Sequence, residues 1–191
     1  MNKKILASAT VFALVLAYML PFSIDTANVP EASAAQSDYY LKLDGIDGEV
    51  VDRGHEKEMR ISSWSLGASN PTSVGSGGMS AGKVNFQDLS VMKSVDKATP
   101  LLFKMCASGK HIAKAELSVV KPSATGEGFT FMKYSLTDLS CTSFKDSADP
   151  LMEELSFSYA KIEMSYTPMT SDGTAGKPIT AGWDLKANKG I

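Results

Sequence analysis

The sequence predicts a mainly β domain: a small antiparallel β-barrel or sandwich of two sheets with one short flanking α-helix. Beyond residue 34, most of the chain consists of short alternating runs separated by Gly, Pro, Asn and Asp, as in strands joined by turns. A single segment, Pro100–Ser108, combines helical spacing with helix boundary residues. No internal repeat is evident, and residues 35–191 suffice for one core, so we expect one domain.

The first 34 residues have the composition of a signal peptide. Lys3 and Lys4 precede an uncharged apolar run over residues 5–20, and Ala32-Ser33-Ala34 offers a small-x-small cleavage site. The run is shorter than the about 20 residues that span a bilayer comfortably, so a cleaved leader is favoured over a permanent membrane span. We therefore expect residues 35–191 to be exported, to the periplasm or the medium.

The charge balance excludes several classes of partner. Nineteen Lys and Arg residues face 21 Asp and Glu residues, for a net charge of −2. The lysines are scattered, so the sequence has neither the basic face that nucleic acid needs nor a polybasic membrane patch. Nucleic acid is not an expected partner.

Two strands are predicted before residue 70. Tyr39–Leu43 alternates and is closed by the turn-rich segment Asp44–Gly48. The second strand is predicted over Glu58–Ala68. Its apolar residues change phase after Ile61, so we expect either burial of both faces or a bulge near residues 62–63.

The segment Asn70–Gly82 is rich in Gly and Ser and has no apolar periodicity. Such a composition predicts a flexible surface loop, and long loops in compact domains are often functional. A strand is predicted to follow over Val84–Lys93.

The predicted helix, Pro100–Ser108, has a boundary residue at each end. Thr99 is the expected N-cap, Pro100 suits the first helical position, and Gly109 is the expected stop. One face should dock on the sheets, because its residues recur at spacings of three and four: Leu101, Leu102, Met105 and Cys106.

The rest of the chain is predicted to form strands and polar turns. The strands are expected over Ala113–Lys121, Gly128–Leu136, Leu155–Thr167 and Ile179–Leu185. Residues 139–144 are expected to extend the second of these strands. Asp146–Pro150 and Met169–Pro178 are the predicted turns.

The two cysteines, Cys106 and Cys141, are the minimum for one disulfide. Export would place them in an oxidising compartment where a bridge persists. The alternative is two buried thiols, since unpaired cysteine is among the most buried residue types. The sequence leaves both interpretations open, because it does not give the distance between the two Cα atoms.

No catalytic site is predicted. Residues 77–83, GGMSAGK, match all but the last position of the phosphate-binding P-loop pattern, but Val84 stands where a hydroxyl would hold magnesium. His55 is expected in a solvated loop and His111 beside a helix end, and neither accompanies an activated nucleophile. The chain is therefore not expected to be an enzyme or to need a cofactor.

No metal site is predicted either. Cys106 and His111 lack further ligands at zinc-site spacing. The acidic segment DGIDGE, residues 44–49, departs from the calcium-binding EF-hand loop after its first positions, and its glycines favour a turn.

Long stretches of the chain resemble one bacterial protein family. Residues 82–121 read GKVNFQDLSVMKSVDKATPLLFKMCASGKHIAKAELSVVK, preceded by LKLDGIDGEVVDRGHEKEMRISSWSLG and followed by EELSFSYAKIEMSYTP and DGTAGKPITAGWDLKAN. In this order they resemble the haemolysin-coregulated protein family, Hcp, which supplies the tube protein of the bacterial type VI secretion system. The resemblance runs from Tyr39 to Asn188.

The resemblance implies a structural protein that closes into six-membered rings, which stack into a hollow tube. It implies effector proteins as cargo and a spike protein at the tube tip as further partners. Ser65 matches a channel-facing position that contacts cargo. The glycine-rich loop is similar to the one that reaches the next ring, with these candidate stacking residues: Gly75, Ser76, Gly77, Gly78, Met79 and Gly82.

The leader departs from this family's pattern, because its familiar members assemble in the cytoplasm and carry none. It motivates an alternative hypothesis from another class of function. In that alternative, the chain is an exported Hcp-like binding or interaction module outside any secretion tube.

Overall fold

Antiparallel strands account for most of the residues described by a computed structural model, namely 37–75, 78–122, 128–148 and 150–191. The predicted leader, residues 1–34, lies outside them. In chain order the described elements are β1 (Asp38–Leu43), β2 (Met59–Ile61), β3 (Ser63–Ser65), β4 (Ala68–Ser69), β5 (Thr72–Gly75), β6 (Gly78–Ala81), β7 (Asn85–Phe86), β8 (Leu89–Ser94), α1 (Thr99–Ser108), β9 (Ile112–Lys121), β10 (Phe129–Ala148), β11 (Leu151–Tyr166), β12 (Ile179–Asp184) and β13 (Lys189–Gly190).

The strand pairings form a closed circuit. β2 pairs with β1, and the order continues through β9, β10, β11 and β8 to β3. β2 and β3 belong to one segment interrupted only at Ser62, whose N–H donates to the carbonyl of Met92 at 2.7 Å. The chain crosses from one sheet to the other at this residue and closes the barrel. The predicted fold class is confirmed, and the phase change after Ile61 marks this crossing.

The long strand β11 serves both sheets. It pairs with β10 along its length, while its other edge pairs with β8 in its first half and with β12 in its second half. Apolar side chains from both sheets fill the space between them, which supplies the main stabilisation. The largest fully buried apolar residues are Phe157, Leu41, Met59, Leu89, Leu102, Leu117, Leu136, Leu139 and Leu155.

Helix α1 begins one residue earlier than predicted, and Thr99 is not its N-cap. The cap position is Ala98, whose side chain makes no capping hydrogen bond. Asp96 shapes the turn instead, because its Oδ1 accepts the N–H of Ala98 at 2.9 Å. The predicted stop is correct: Gly109 has a left-handed φ of 65°, which glycine adopts readily.

The buried face of α1 is narrower than predicted. Leu102 and Met105 are buried, but Leu101 is 49 % exposed. Cys106 is half-buried and is joined by a disulfide to Cys141 of β10, with the two Cα atoms 5.0 Å apart. The helix therefore lies against β10, to which it is covalently bound.

Several predicted boundaries in the first half of the chain are wrong. The strand predicted over Val84–Lys93 is interrupted between β7 and β8. Within Asn70–Gly82, predicted as a loop, β5 and β6 pair from Thr72↔Ala81 to Gly75↔Gly78. A two-stranded ladder needs only backbone hydrogen bonds, so it forms here without apolar alternation.

The two longest strands, β10 and β11, are also longer than predicted. β10 continues to Ala148, and β11 already begins at Leu151, so the turn predicted over Asp146–Pro150 is mostly strand. The extension of β10 through residues 139–144 is confirmed. A left-handed Asp138 (φ 55°) and a register shift between Cys141 and Ser143 interrupt its alternation without ending it.

Candidate functional site

Four serines lie in one row across one sheet of the barrel. Ser65 of β3 pairs with Ser90 of β8, Ser90 with Ser156 of β11, and Ser156 with Ser143 of β10. Their neighbours along the strands, such as Leu89 and Leu155, are buried in the core. Because side chains alternate across a strand, the four serines lie on the outer face of the sheet.

The two adjacent rows complete this surface, which we call the serine face. One row contains Ser63, Met92, Glu154 and Lys145, and the other contains Ser94, Met152 and Ser147. Lys145 Nζ lies 3.9 Å from Glu154 Oε2, so the face has no net charge. Its chemistry is that of small hydroxyls, which both donate and accept hydrogen bonds, with two methionines among them.

A buried ion cluster lies beneath the serine face. Lys93 of β8 is 1 % exposed, and its Nζ contacts Glu153 Oε2 at 2.8 Å and Asp96 Oδ1 at 2.9 Å. Glu153 is fully buried, and its Oε1 has no hydrogen-bond partner among the described residues. Charges buried in this way depend strongly on their partners, so the cluster fixes β8, β11 and the turn before α1 relative to one another.

The outer face of the other sheet has a different character. In one row, Lys42 of β1 pairs with Glu116 of β9, Glu116 with Ser135 of β10, and Ser135 with Glu163 of β11. The neighbouring row includes Lys114, Thr137, Lys161 and Asp184. One side of the barrel is thus rich in serine with a single ion pair, whereas the other carries several charges of both signs.

Residues 68–75 and 78–86 form an antiparallel projection, which we call the arm. Its base is the pairing of β4 with β7, and its outer part is the pairing of β5 with β6. Of the predicted stacking residues, Gly75 pairs with Gly78, Met79 pairs with Val74, and Gly82 donates its N–H to the Pro71 carbonyl at 2.8 Å. Ser76 and Gly77 lie outside the described residues.

The arm is anchored to the barrel at Gln87. The Gln87 N–H donates to the carbonyl of Gly67 at 2.8 Å, and the Tyr159 hydroxyl donates to the carbonyl of Gln87 at 3.1 Å. Burial raises the pKa of Tyr159 to about 12, with a smaller contribution from the charge of Asp88. A neutral tyrosine therefore holds the root of the arm at ordinary pH.

A groove of about 420 Å³ lies between the arm root and the second half of β11. We call it the aromatic groove, because Trp64, Phe86, Tyr134 and Trp183 line it together with Leu66, Ile162 and Met164. The Nε1 of Trp183 is buried and has no hydrogen-bond partner among the described residues. Such a groove favours apolar contact with a partner.

The two histidines lie apart, and His55 is not in a solvated loop. Its side chain is 13 % exposed, stacks on Tyr40 with ring centroids 4.2 Å apart, and contacts Glu58. His111 is exposed and contacts Asp138, whose pKa is lowered mainly by the bond from Lys186 and further by His111. Both rings thus have carboxylate partners that explain their positions.

Within the described ranges, no cluster of three or more His, Cys, Asp or Glu residues could hold a metal ion. No helix of that part of the chain is long and apolar enough to cross a membrane.

The family resemblance singled out Ser65, which stays a prediction, and sequence reasoning missed the serines beside it and the aromatic groove. A signal for the serines existed, because Ser156 and Ser158 alternate with Leu155 and Phe157. The sequence contains no such signal for the aromatic groove, because the residues that line it come from strands far apart in the chain, including β3, β7, β10, β11 and β12.

The chain is similar to proteins of the type VI secretion system. Residues 40–166 match the family described as "Type VI secretion system effector, Hcp". Protein hcp1 of Pseudomonas aeruginosa is 35 % identical over 158 residues, covering 79 % of this chain and 96 % of that protein.

Solved structures agree with the sequence match. One, described as the structure of a type six secretion system protein, has a TM-score of 0.74 at 30 % identity and covers 82 % of this chain and 100 % of its own. Hcp1 from Salmonella typhimurium has a TM-score of 0.66 at 34 % identity, covering 81 % and 99 %.

Proposed function

The chain belongs to the Hcp family of the type VI secretion system and is a subunit of its tube, and from this premise we propose that the serine face lines the channel. The observation that carries the proposal is the row Ser65, Ser90, Ser156 and Ser143. Small hydroxyls leave a channel open, and the absence of net charge avoids selecting cargo by its sign. Ser65 then contacts cargo proteins directly.

Ring closure requires a heterologous contact, in which two different surfaces of the same chain meet. The aromatic groove supports one of these surfaces, because it is concave and apolar. Exposed apolar residues continue it along β11 and β12: Met164 is 38 %, Tyr166 46 % and Ile179 68 % exposed. A neighbouring copy in a six-membered ring covers this area.

Ring stacking uses the arm. Its outer hairpin projects beyond the paired base, and its glycines at Gly75 and Gly78 permit the backbone to adapt on contact. The stacking role extends to Ser76, Gly77, Met79 and Gly82. Effector proteins inside the tube and a spike protein at its tip are the remaining partners.

The proposal also includes the location of the protein, which we expect to be exported. Hcp proteins are secreted components of the type VI system, and the leader over residues 1–34 supports export by a signal peptide. The Cys106–Cys141 disulfide is consistent with an oxidising compartment.

The first test is the mass of residues 35–191 by light scattering over a concentration series, with electron micrographs of the same fractions. A six-subunit ring, or rings stacked into filaments, is expected. A monomer at every concentration would contradict the ring and would favour the exported binding module instead. Cleavage of the leader in cells is checked separately, by mass spectrometry of the exported protein.

A further inference from the structure

Val51 is the most exposed of the large apolar side chains that the structure describes, at 86 %. It lies between β1 and β2 in residues 48–58, which we call the Val51 loop. Together with Val50 and Val95, it lines a cleft of about 380 Å³. Val95, which follows β8, is itself 40 % exposed. Exposed apolar side chains that lie together in this way indicate a contact surface.

Backbone hydrogen bonds hold the Val51 loop in place. The Lys57 N–H donates to the Val50 carbonyl at 2.8 Å, and the Val50 N–H donates to the Glu58 carbonyl at 3.1 Å. Glu49 Oε1 accepts the N–H of Lys97 at 2.9 Å and so joins the loop to the turn after β8. Because the loop is ordered before any partner binds, a contact through its tip loses little conformational entropy.

Polar side chains fix the residue that follows Val51. The Tyr40 hydroxyl donates to Asp52 Oδ2 at 2.6 Å, and the guanidinium of Arg60 contacts the same oxygen. The ring of His55 lies on the other side of the loop and stacks on Tyr40. The half-buried network beneath the loop therefore presents Val51 in one position.

The Val51 loop and the aromatic groove lie beyond opposite ends of β8. Phe86 of the groove precedes this strand, and Val95 of the cleft follows it. A strand of six residues spans about 17 Å, so the two surfaces of a single copy stay apart. In a ring of identical copies, each contact joins two different surfaces of the chain.

We infer that the Val51 loop of one copy inserts its apolar tip into the aromatic groove of the next copy in the ring. This inference rests on the ring proposed above, in which the groove is one half of the contact, and it supplies the other half. A second copy is the occupant because the chain is a tube subunit and ring closure needs a surface complementary to the groove.

The two surfaces match in shape and in charge. Among the described residues, no charged side chain lines the concave groove. Val51 projects, and the carboxylates beside it, Glu49 and Asp52, are already bonded within their own chain. The tip therefore enters the groove without leaving a charge desolvated and unpaired.

Light scattering of the purified protein tests the contact. Val51→Asp should convert rings to monomers, because its carboxylate would meet no partner in the groove. The native side chain is almost fully exposed, so the circular dichroism spectrum should not change. The matched control is Ile191→Asp, on a side chain that is 59 % exposed and lies beside Lys161 and Glu163 on the outer face of the other sheet. It should keep the ring mass.

Cross-linking identifies the two surfaces directly. Val51→Cys/Met164→Cys adds one thiol to the loop and one to the groove, and the native cysteines are bridged. A short bismaleimide should link assembled rings into a ladder on denaturing gels, because every copy is joined to both neighbours. Val51→Cys/Thr137→Cys, with its second thiol on the outer face of the other sheet, should give single chains.

The two tests separate this inference from the ring itself. Rings that persist with Val51→Asp, or rings of the loop and groove variant that give no ladder, would overturn the inference and leave the ring standing. Failure of the unsubstituted protein to form rings would instead contradict the proposed function, on which the inference depends.

Discussion

Lys93 and Glu153 lie opposite each other inside the barrel, with Nζ 2.8 Å from Oε2 and no more than 1 % of either side chain exposed. The next position along β11, Glu154, lies on the outer face and pairs weakly with Lys145. Adjacent residues of one strand thus offer a buried and an exposed ion pair for direct comparison.

Lys93→Met should lower the free energy of unfolding by about 3–5 kcal/mol, because it leaves Glu153 buried without its partner. Lys145→Met, on a side chain that is 71 % exposed, should cost less than about 1 kcal/mol. Urea denaturation measures both. Equal losses in the free energy of unfolding would mean that burial does not determine how much each ion pair contributes to stability.

Ring formation should depend on the aromatic groove and not on equally exposed residues elsewhere. Met164 in the groove is 38 % exposed and Met92 on the serine face is 39 % exposed. Met164→Lys should convert rings to monomers, because a charge enters the apolar contact without a partner. Met92→Lys should leave the ring mass unchanged in light scattering. A ring that tolerates the Met164 change would remove the groove from the interface.

The serine face should become inaccessible to large reagents when the tube forms. Ser65→Cys and Thr137→Cys place single thiols on the two opposite outer faces, and the native cysteines are bridged. Both thiols should react with a small maleimide, but only the Thr137 variant should react with a bulky polyethylene glycol maleimide in assembled tubes. Gel shifts report the outcome. Equal modification of the Ser65 variant would place that face outside the channel.

Shortening the arm should weaken stacking but leave the fold intact. The Gly82 N–H and the Pro71 carbonyl are 2.8 Å apart, so an Asn-Gly turn can replace residues 72–81. The shortened protein should form rings of normal mass but much shorter filaments in micrographs. As a control, the exposed turn at residues 170–174 is replaced in the same way. Filaments of unchanged length would exclude the arm from stacking.

Alkaline pH should destabilise the protein through Tyr159. Its folded-state pKa of about 12 lies above the usual 10.0, so the stabilisation is complete below pH 10 and is lost as pH rises towards 12. Tyr159→Phe should make the pH dependence in this interval shallower by about 1.4 kcal/mol per pH unit. Urea unfolding between pH 9 and about 11.5 measures the slope. The exposed Tyr166→Phe is the control.

Local signals predicted the helix well, apart from its cap. Pro100 and Gly109 mark its ends through backbone geometry alone, which depends on no distant contact. Thr99 was the wrong cap because Asp96, held by the buried Lys93, forms the preceding turn. That arrangement depends on β8 and β11, which the sequence pattern around the helix does not reveal.

The arm and the full length of β10 could not be predicted from periodicity. Backbone pairing in the arm needs no apolar alternation, and the left-handed Asp138 interrupts the period of two in β10. The position of Ser65 followed from family resemblance. Its row with Ser90, Ser156 and Ser143 required the strand register, since these residues come from distant parts of the chain.

The serine row has a consequence for movement along it. If the serine face lines the channel as proposed, each hydroxyl can exchange a bond to water for a bond to a passing carbonyl or amide at little net cost, since it both donates and accepts. Neighbouring positions then hold a passing protein about equally weakly, and no single site traps it. A tube lined in this way would retard a cargo protein little. The force that propels the tube, and not the dissociation of cargo from individual binding sites, would set the rate of delivery.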